Sequence, residues 1–356
     1  MLKTKNDFPV SIVHIRAIFK RVIMKKIIIA VLLILLVACT DDRLAEKCDF
    51  IPDTEAIDME LQFESLEDSL PAIQSKEHLV NFLSRYPVIR DQFFNRQAYP
   101  NDSVFINTLY QRFNHPAIDT LLMETHEIFG NGEELKNQFL TAFKNLKYYY
   151  PEFAPPKIQT LISGLETDII ITDSLVIVGL DFFLGEGASY KPNMYDYILR
   201  RYNKYFIVPS VMLLYGISED FNKTDLKDNS VLSDMVAYGK AYAFTKKVLP
   251  CSPDSILIGY SQKEIDGAFY NEATIWKKMV EDQILFSTNH IIKQKYISER
   301  PKTIEISAQC PGRIAMWVGW QIANHYLKET GKNLTDLMQE ADAKKIFKDS
   351  KYRPAN

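Results

Sequence analysis

Residues 158–184 read IQTLISGLETDIIITDSLVIVGLDFFL, and here the hydrophobic period of the chain changes. Ile158–Ile162, Asp168–Thr172 and Leu175–Leu180 are short runs rich in β-branched residues, parted by Gly164 and by Thr172–Asp173–Ser174. That pattern predicts a meander of three strands. Phe182–Leu184, followed by Gly185 and Gly187, closes it. Two glycines so close suggest a phosphate loop, but no Lys-Ser/Thr follows and the local charge is acidic, so a turn is the better reading.

On either side the period is helical. From Ile57 to Tyr150, Phe63, Leu66, Leu70 and Ile73 recur at three- and four-residue spacing, as do Leu79, Phe82 and Leu83. Asn101–Tyr110 and Asn131–Leu146 continue the pattern, with Gly130–Asn131–Gly132 as a break at which Asn131 or Gly132 starts the next helix. Tyr148–Tyr149–Tyr150 and then Pro151, Pro155 and Pro156 end this region, because proline stops a helix and favours extended backbone. Beyond Pro192 the expected helices are Asp196–Tyr205, Pro209–Tyr215, Asn229–Val248, Ser261–Phe286, Pro311–Thr330 and Asn333–Phe347. Ser261 and Asn333 are suited to N-capping. Ile314, Val318, Ile322 and Tyr326 keep i, i+4 spacing and mark the buried face of the Pro311 helix. The expectation is an α+β, predominantly helical protein with a small sheet at about residues 157–184.

Upstream, Met24–Cys39 reads MKKIIIAVLLILLVAC. Twelve helical residues from Ile27 to Ala38 rise roughly 18 Å, well short of the roughly 30 Å hydrocarbon core. Behind Lys25 and Lys26 the run suits the apolar core of a signal peptide, and Ala38–Cys39 resembles a bacterial lipobox, in which the cysteine is acylated. A buried core helix would keep a polar face, and this run has none. Residues 1–38 are thus expected to be a signal peptide, with Met24 a better start than Met1. Residues 39–56 are a lipidated tether, 57–155 a helical N-terminal half and 156–356 an α+β C-terminal half. Asp41 and Asp42 fit either a surface-export signal or an ordinary solvated tether.

Residues 1–38 hold seven of the 42 basic residues and one of the 45 acidic ones. The remainder carries 35 against 44, a net charge of about −9 that argues against binding nucleic acid or an anionic membrane face by charge alone. Cys48, Cys251 and Cys310 remain besides Cys39. They allow one disulfide, with Cys251–Cys310 the favoured pair, or buried unpaired thiols, and no Cys/His cluster suggests a metal.

Recognisable chemistry is sparse. Of six histidines, His126 stands before Glu127, but the second histidine of a zinc helix would fall at Gly130. His325 sits between Gln321 and Glu329 on a mixed face. There is no GxSxG, P-loop or Rossmann fingerprint, and acid pairs such as Glu281–Asp282 read as solvated faces.

Several stretches together resemble the GldB-type gliding-motility lipoproteins of Bacteroidota. They are Val178–Gly187 (VGLDFFLGEG) leading to Tyr190, Met235–Phe244 (MVAYGKAYAF), Tyr270–Trp276 (YNEATIW), Pro311–Tyr326 (PGRIAMWVGWQIANHY) and Asp342–Pro354. The resemblance spans residues 157–356. It implies a lipid-anchored, non-catalytic envelope protein needed for gliding, anchored through acyl chains on Cys39 and partnered by proteins of the gliding and type IX secretion machinery. The outer membrane is the implied location, and neither a cofactor nor nucleic acid is implied. The family is also distantly similar to HExxH zinc peptidases. Here the segment where HExxH would fall is Pro209–Gly216 (PSVMLLYG), and Tyr238–Gly239 stands at the position of a downstream Glu-Gly. The resemblance therefore implies a zincin-like, metal-free domain without catalytic residues. Tyr190, Tyr238, Lys240, Glu272 and Trp317 are its candidate groove or partner-binding residues. The alternative is a zinc-independent hydrolase or degenerate peptidase that binds peptides.

Overall fold

The computed structural model describes residues 48–354, which belong to one compact unit; the signal segment and Cys39 lie outside the described residues. It is a mostly helical α+β protein around one small mixed sheet. The strands are β1 (Phe63–Ser65), β2 (Lys157–Leu161), β3 (Ile169–Ile171) and β4 (Leu175–Gly179), in the order β1-β2-β4-β3.

The meander is corrected to a crossover. β2 pairs β4 in parallel, Ile158 opposite Val176 and Thr160 opposite Val178, while β3 folds back antiparallel on the outer side of β4. Burial explains the order. β2 and β4 are buried from their second residue onward, so they take the central positions, whereas all three isoleucines of β3 stay half-buried at the edge. The β3–β4 turn is closed by Thr172, whose Oγ1 accepts from Leu175 N at 3.1 Å.

A fourth strand was not expected. Phe63–Ser65 pairs in parallel with Ile158–Thr160, and Leu66 N continues the ladder to Thr160 O at 2.8 Å. Residues 66–73 form turns rather than a helix, although Leu66, Leu70 and Ile73 are buried as their spacing suggested. Pro71 is the physical reason: it lacks an N–H, and its ring would strike the carbonyl four residues back.

Helices α1 (Lys76–Arg85), α2 (Asp102–Phe113) and α3 (Ala117–Phe129) pack Leu79, Leu83, Phe105, Leu109 and Leu121 against the face of the sheet bearing Leu161 and Ile177. The opposite face, with Ile158, Val176 and Val178, meets α4 (Glu133–Tyr149) through Phe139, Phe143 and Leu146. Successive strand residues point to opposite faces, which is why two helical layers can share so short a sheet. Gly130–Asn131–Gly132 is the expected break between α3 and α4, with both glycines at positive φ.

The C-terminal part contains α5 (Asp196–Leu199), α6 (Ile207–Ile217), α7 (Val231–Val248), α8 (Asp254–Ile258), α9 (Gln262–Tyr270), α10 (Glu272–Glu281) and α11 (His290–Tyr296). It ends with α12 (Ile314–Thr330), α13 (Leu334–Gln339) and α14 (Ala343–Ser350). Ser261 and Asn333 both form capping boxes, with Glu264 and Asp336 returning the bond. Two of the expected long helices are each divided, at Asn271 and at Glu340–Asp342. Asp342 is itself an N-cap, accepting from Lys344 N and Lys345 N.

Ile314, Val318, Ile322 and Tyr326 are fully buried, yet the first ten residues of α12 are buried on every side. The cause is a close crossing with α7. A Cβ on Gly239 would lie 2.7 Å from Trp320 N and nearer still to the Gly319 carbonyl. Glycine at both crossing points lets the backbones meet. Met235, Tyr242, Trp317 and Val318 fill the third core around that contact.

The disulfide expectation is also corrected. Cys48 is bonded to Cys251, 203 residues away, and Cys310 is a buried free thiol whose pKa burial pushes up to about 12. Asp49 adds a backbone bond to Pro250 O at 3.1 Å and an ion pair with Lys247 at 3.6 Å. Among the described residues no helix is long and apolar enough to cross a membrane.

Candidate functional site

Pro209–Gly216, the stretch that the resemblance sets against HExxH, lies within α6. Asn203 caps the 3-10 turn Lys204–Phe206 that leads into it, accepting from Tyr205 N at 3.1 Å. Pro209, Ser210 and Leu213 of α6 line a cleft of about 370 Å³. None of the three is a histidine or a carboxylate. Across the cleft lie Tyr242 of α7, the end of α8 and Arg313, and Asp168 with Tyr202 forms another wall.

Arg313 is placed by its backbone. Gly312 runs so close to Arg300 that a Cβ would lie 2.7 Å from that residue's carbonyl carbon and nearer to its oxygen. Thr303 clamps the same segment, its N donating to Cys310 O at 2.9 Å and its Oγ1 to Pro311 O at 2.8 Å. Tyr260 adds a 2.6 Å bond to Gly312 O. Held in this way, Arg313 takes φ +59° as the N-cap of α12, a left-handed conformation that costs a non-glycine residue about 1–2 kcal/mol. Its buried guanidinium donates from Nη2 to Ile258 O at 3.0 Å and from Nη1 to the Tyr242 hydroxyl at 3.4 Å, and it stacks 5.6 Å from the Tyr260 ring centre.

Arg201 reaches the same place from the loop after α5. Gly259, at φ +72°, ends α8, and a Cβ there would lie 3.1 Å from Arg201 Cγ and nearer to its Cδ, so Arg201 lies across a glycine. Both arginines turn to one carboxylate oxygen, Glu299 Oε2, at 2.8 Å from Arg201 Nη2 and 3.4 Å from Arg313 Nε. Asp168 is engaged elsewhere, accepting from the Tyr202 hydroxyl at 2.8 Å and from Ile169 N at 2.7 Å.

The five residues singled out from sequence do not form one groove. Tyr190 is half-exposed on the loop after β4 and lines a neighbouring cavity of about 390 Å³, which shares Tyr202 with the α6 cleft. Tyr238 is half-buried one turn before Tyr242. Lys240 is buried, and its Nζ donates to Lys223 O at 2.7 Å and Glu340 O at 2.8 Å. Burial brings its pKa down to about 7, against the weaker opposing charge of Glu340. Glu272 accepts from the Tyr352 hydroxyl at 2.8 Å and ties the C-terminal segment to α10. Trp317 is fully buried, edge-on to Phe269 at 5.3 Å, with its indole N–H unpaired. No hydrogen bond, ion pair or ring contact among the described residues joins any two of the five.

Sequence reasoning passed over Arg201, Arg313, Glu299 and Tyr242. The available signal was Pro311–Gly312–Arg313, a turn sequence set directly before a strong helix. His126 pairs with Asp68 at 2.9 Å. Among the described residues no three His, Cys, Asp or Glu side chains gather as a metal ion would need.

The sequence model of the family described as gliding motility protein GldB matches residues 47–354, and the chain belongs to that family. The match includes the helical half, which the resemblance in the sequence had not reached. No curated protein and no solved structure matches the chain.

Proposed function

We propose that this member of the GldB family is a lipid-anchored, non-catalytic docking component of the envelope machinery for gliding and its linked type IX secretion. The observation that carries the proposal is the family match over the whole described body. The non-catalytic part is supported by the resemblance, which sets Pro209–Gly216 against HExxH, a stretch with no His or Glu. We read the body as a zincin-like outline that has kept its cleft and lost its metal chemistry.

In this proposal Cys39 carries the acyl chains. Each buried CH₂ contributes about 0.8 kcal/mol, so two or three long chains hold the protein stably at the membrane, with the outer membrane its expected site. From Cys39 to Cys48, nine residue steps span at most about 32 Å, and Cys48 is then bonded to the body through Cys251. The partners are proteins of the same machinery. Tyr190 and Tyr238 have the exposure to touch them, whereas buried Lys240 and Trp317 act by holding shape.

Deleting the gene and returning either the wild-type or a Cys39→Ala copy tests this by colony-spreading microscopy. Spreading lost in the deletion, restored by the wild type and not by Cys39→Ala is the expected outcome. Normal spreading without the gene refutes the motility role. The formed cleft favours one second reading, a zinc-independent hydrolase or degenerate peptidase that binds peptides. Metal analysis of purified protein bears on both readings, since one bound zinc per chain would contradict a metal-free body and restore a zinc-peptidase assignment.

A further inference from the structure

The α6 cleft, taken as the peptide-binding remnant described above, has a chemistry of its own. Three charged side chains line it, Arg201, Arg313 and Asp168, and Asp168 is already occupied by Tyr202 and Ile169. The lining carries two positive charges against one negative, with Glu299 behind it pairing both arginines. Two guanidiniums, with ten N–H groups between them, converge on one oxygen of one glutamate. Glu299 itself does not line the cleft, and each guanidinium has more N–H groups than the bonds already named use. The rest of the wall is apolar, including Phe183, Leu213 and Leu257, with hydroxyls from Ser210 and Tyr242.

We propose that this cleft receives the free C-terminal carboxylate of an apolar peptide, held by Arg201 and Arg313. Guanidinium binds carboxylate through paired, parallel hydrogen bonds, and no other side chain matches that geometry. A cleft of about 370 Å³ is at the small end of ligand sites and has room for about two residues, which suits a chain end rather than a passing strand. Ser210 and Tyr242 offer partners for the last amide groups, which an alkyl chain would leave unused. Gly259 and the left-handed Arg313 are the backbone concessions that bring the two cations together. The proposal rests on the cleft being a peptide site, and its test separates the two ideas.

The test is calorimetric titration of full-length protein in detergent with acetyl-Ala-Leu-Leu as the free acid, as its C-terminal amide, and with decanoate. The free acid is expected to bind at least tenfold more tightly than the amide. Arg201→Gln should remove that preference while leaving the melting curve within a few degrees of wild type. If Arg201→Gln does not fold, Leu213→Trp, which fills the cleft from its apolar side, should abolish binding of the acid. Equal binding of acid and amide, or a preference for the acid that survives Arg201→Gln, overturns the carboxylate assignment and leaves the cleft as a peptide site. Decanoate binding more tightly than the peptide overturns the peptide in favour of a fatty acid. Failure of the wild type to bind any of the three overturns both ideas.

Discussion

Gly239 of α7 and Gly319 of α12 touch backbone to backbone, and the C-terminal half of the protein is assembled on that contact. A Cβ on Gly319 would lie 2.5 Å from the Met235 carbonyl carbon and closer to its oxygen. Alanine is the better helix former by about 1 kcal/mol, but the obstacle is backbone, which cannot rotate aside. Gly319→Ala is therefore expected to destabilise the protein by about 3 kcal/mol or more. Urea denaturation checks this, and a variant as stable as wild type would mean that the helices can part without loss.

The Cys48–Cys251 bond closes a loop of about 200 residues. In the chain-entropy picture that constrains the unfolded state by roughly 5 kcal/mol, with native strain and residual structure reducing the measured value. Cys48→Ser and Cys251→Ser should each lower the melting temperature by several degrees, and the double variant no further than either alone. Cys310→Ser should leave the melting curve of oxidised protein separate from that of the reduced wild type, because the buried Cys310 thiol takes no part in the bond.

Lys240 titrates against the usual order. Its pKa lies at about 7 in the folded state because burial disfavours the ammonium, and near 10.5 when unfolded. Below pH 7 both states hold the proton, and the full cost of burying the charge applies. Between about 7 and 10.5 the unfolded state binds more protons, so this group's contribution to stability rises with pH. Relative to Lys240→Met, wild type should gain about 2 kcal/mol between pH 7 and pH 9. A flat difference across that range would show that Lys240 stays charged when folded.

Glu264 gives the same sign of pH dependence in a lower window, because its folded pKa is also depressed. Burial raises its pKa, but the hydrogen bond from Lys302, the backbone N–H of Ser261 and the charge of Arg200 outweigh burial and bring it down to about 2. Its ion pairs measure 2.5 Å to Arg200 and 2.9 Å to Lys302. The stability it contributes is present above pH 4.5 and is lost as pH falls from there towards 2. Glu264→Gln should cost about 1–2 kcal/mol at pH 7, allowing for solvent screening, and roughly a quarter of that at pH 2.5. Chemical denaturation at the two pH values measures both.

Features set within a few residues of one another were legible in the chain. Ser261 and Asn333 formed the expected caps, Gly130 and Gly132 the expected break, and Ile314, Val318, Ile322 and Tyr326 the expected buried stripe. Each depends on local hydrogen bonding or on the 3.6-residue period, which a linear sequence displays directly. The candidate site was less legible. Arg201 lies in the loop after α5, whereas Glu299 and Arg313 lie about 100 residues further on, in the segment between α11 and α12. No spacing rule links them, and a surface arginine looks the same in sequence as a buried one.

The sequence by itself determined the class of the protein: helices around a small sheet, and a family whose model spans residues 47–354. Only the tertiary structure decided which strand lies beside which, that Cys251 bonds to Cys48 rather than to Cys310, and that two arginines share one glutamate. The physical reason is common to all three. Apolar period and capping are properties of neighbouring residues, whereas strand order, disulfide pairing and charge convergence follow from which buried surfaces meet when the whole chain closes on its core.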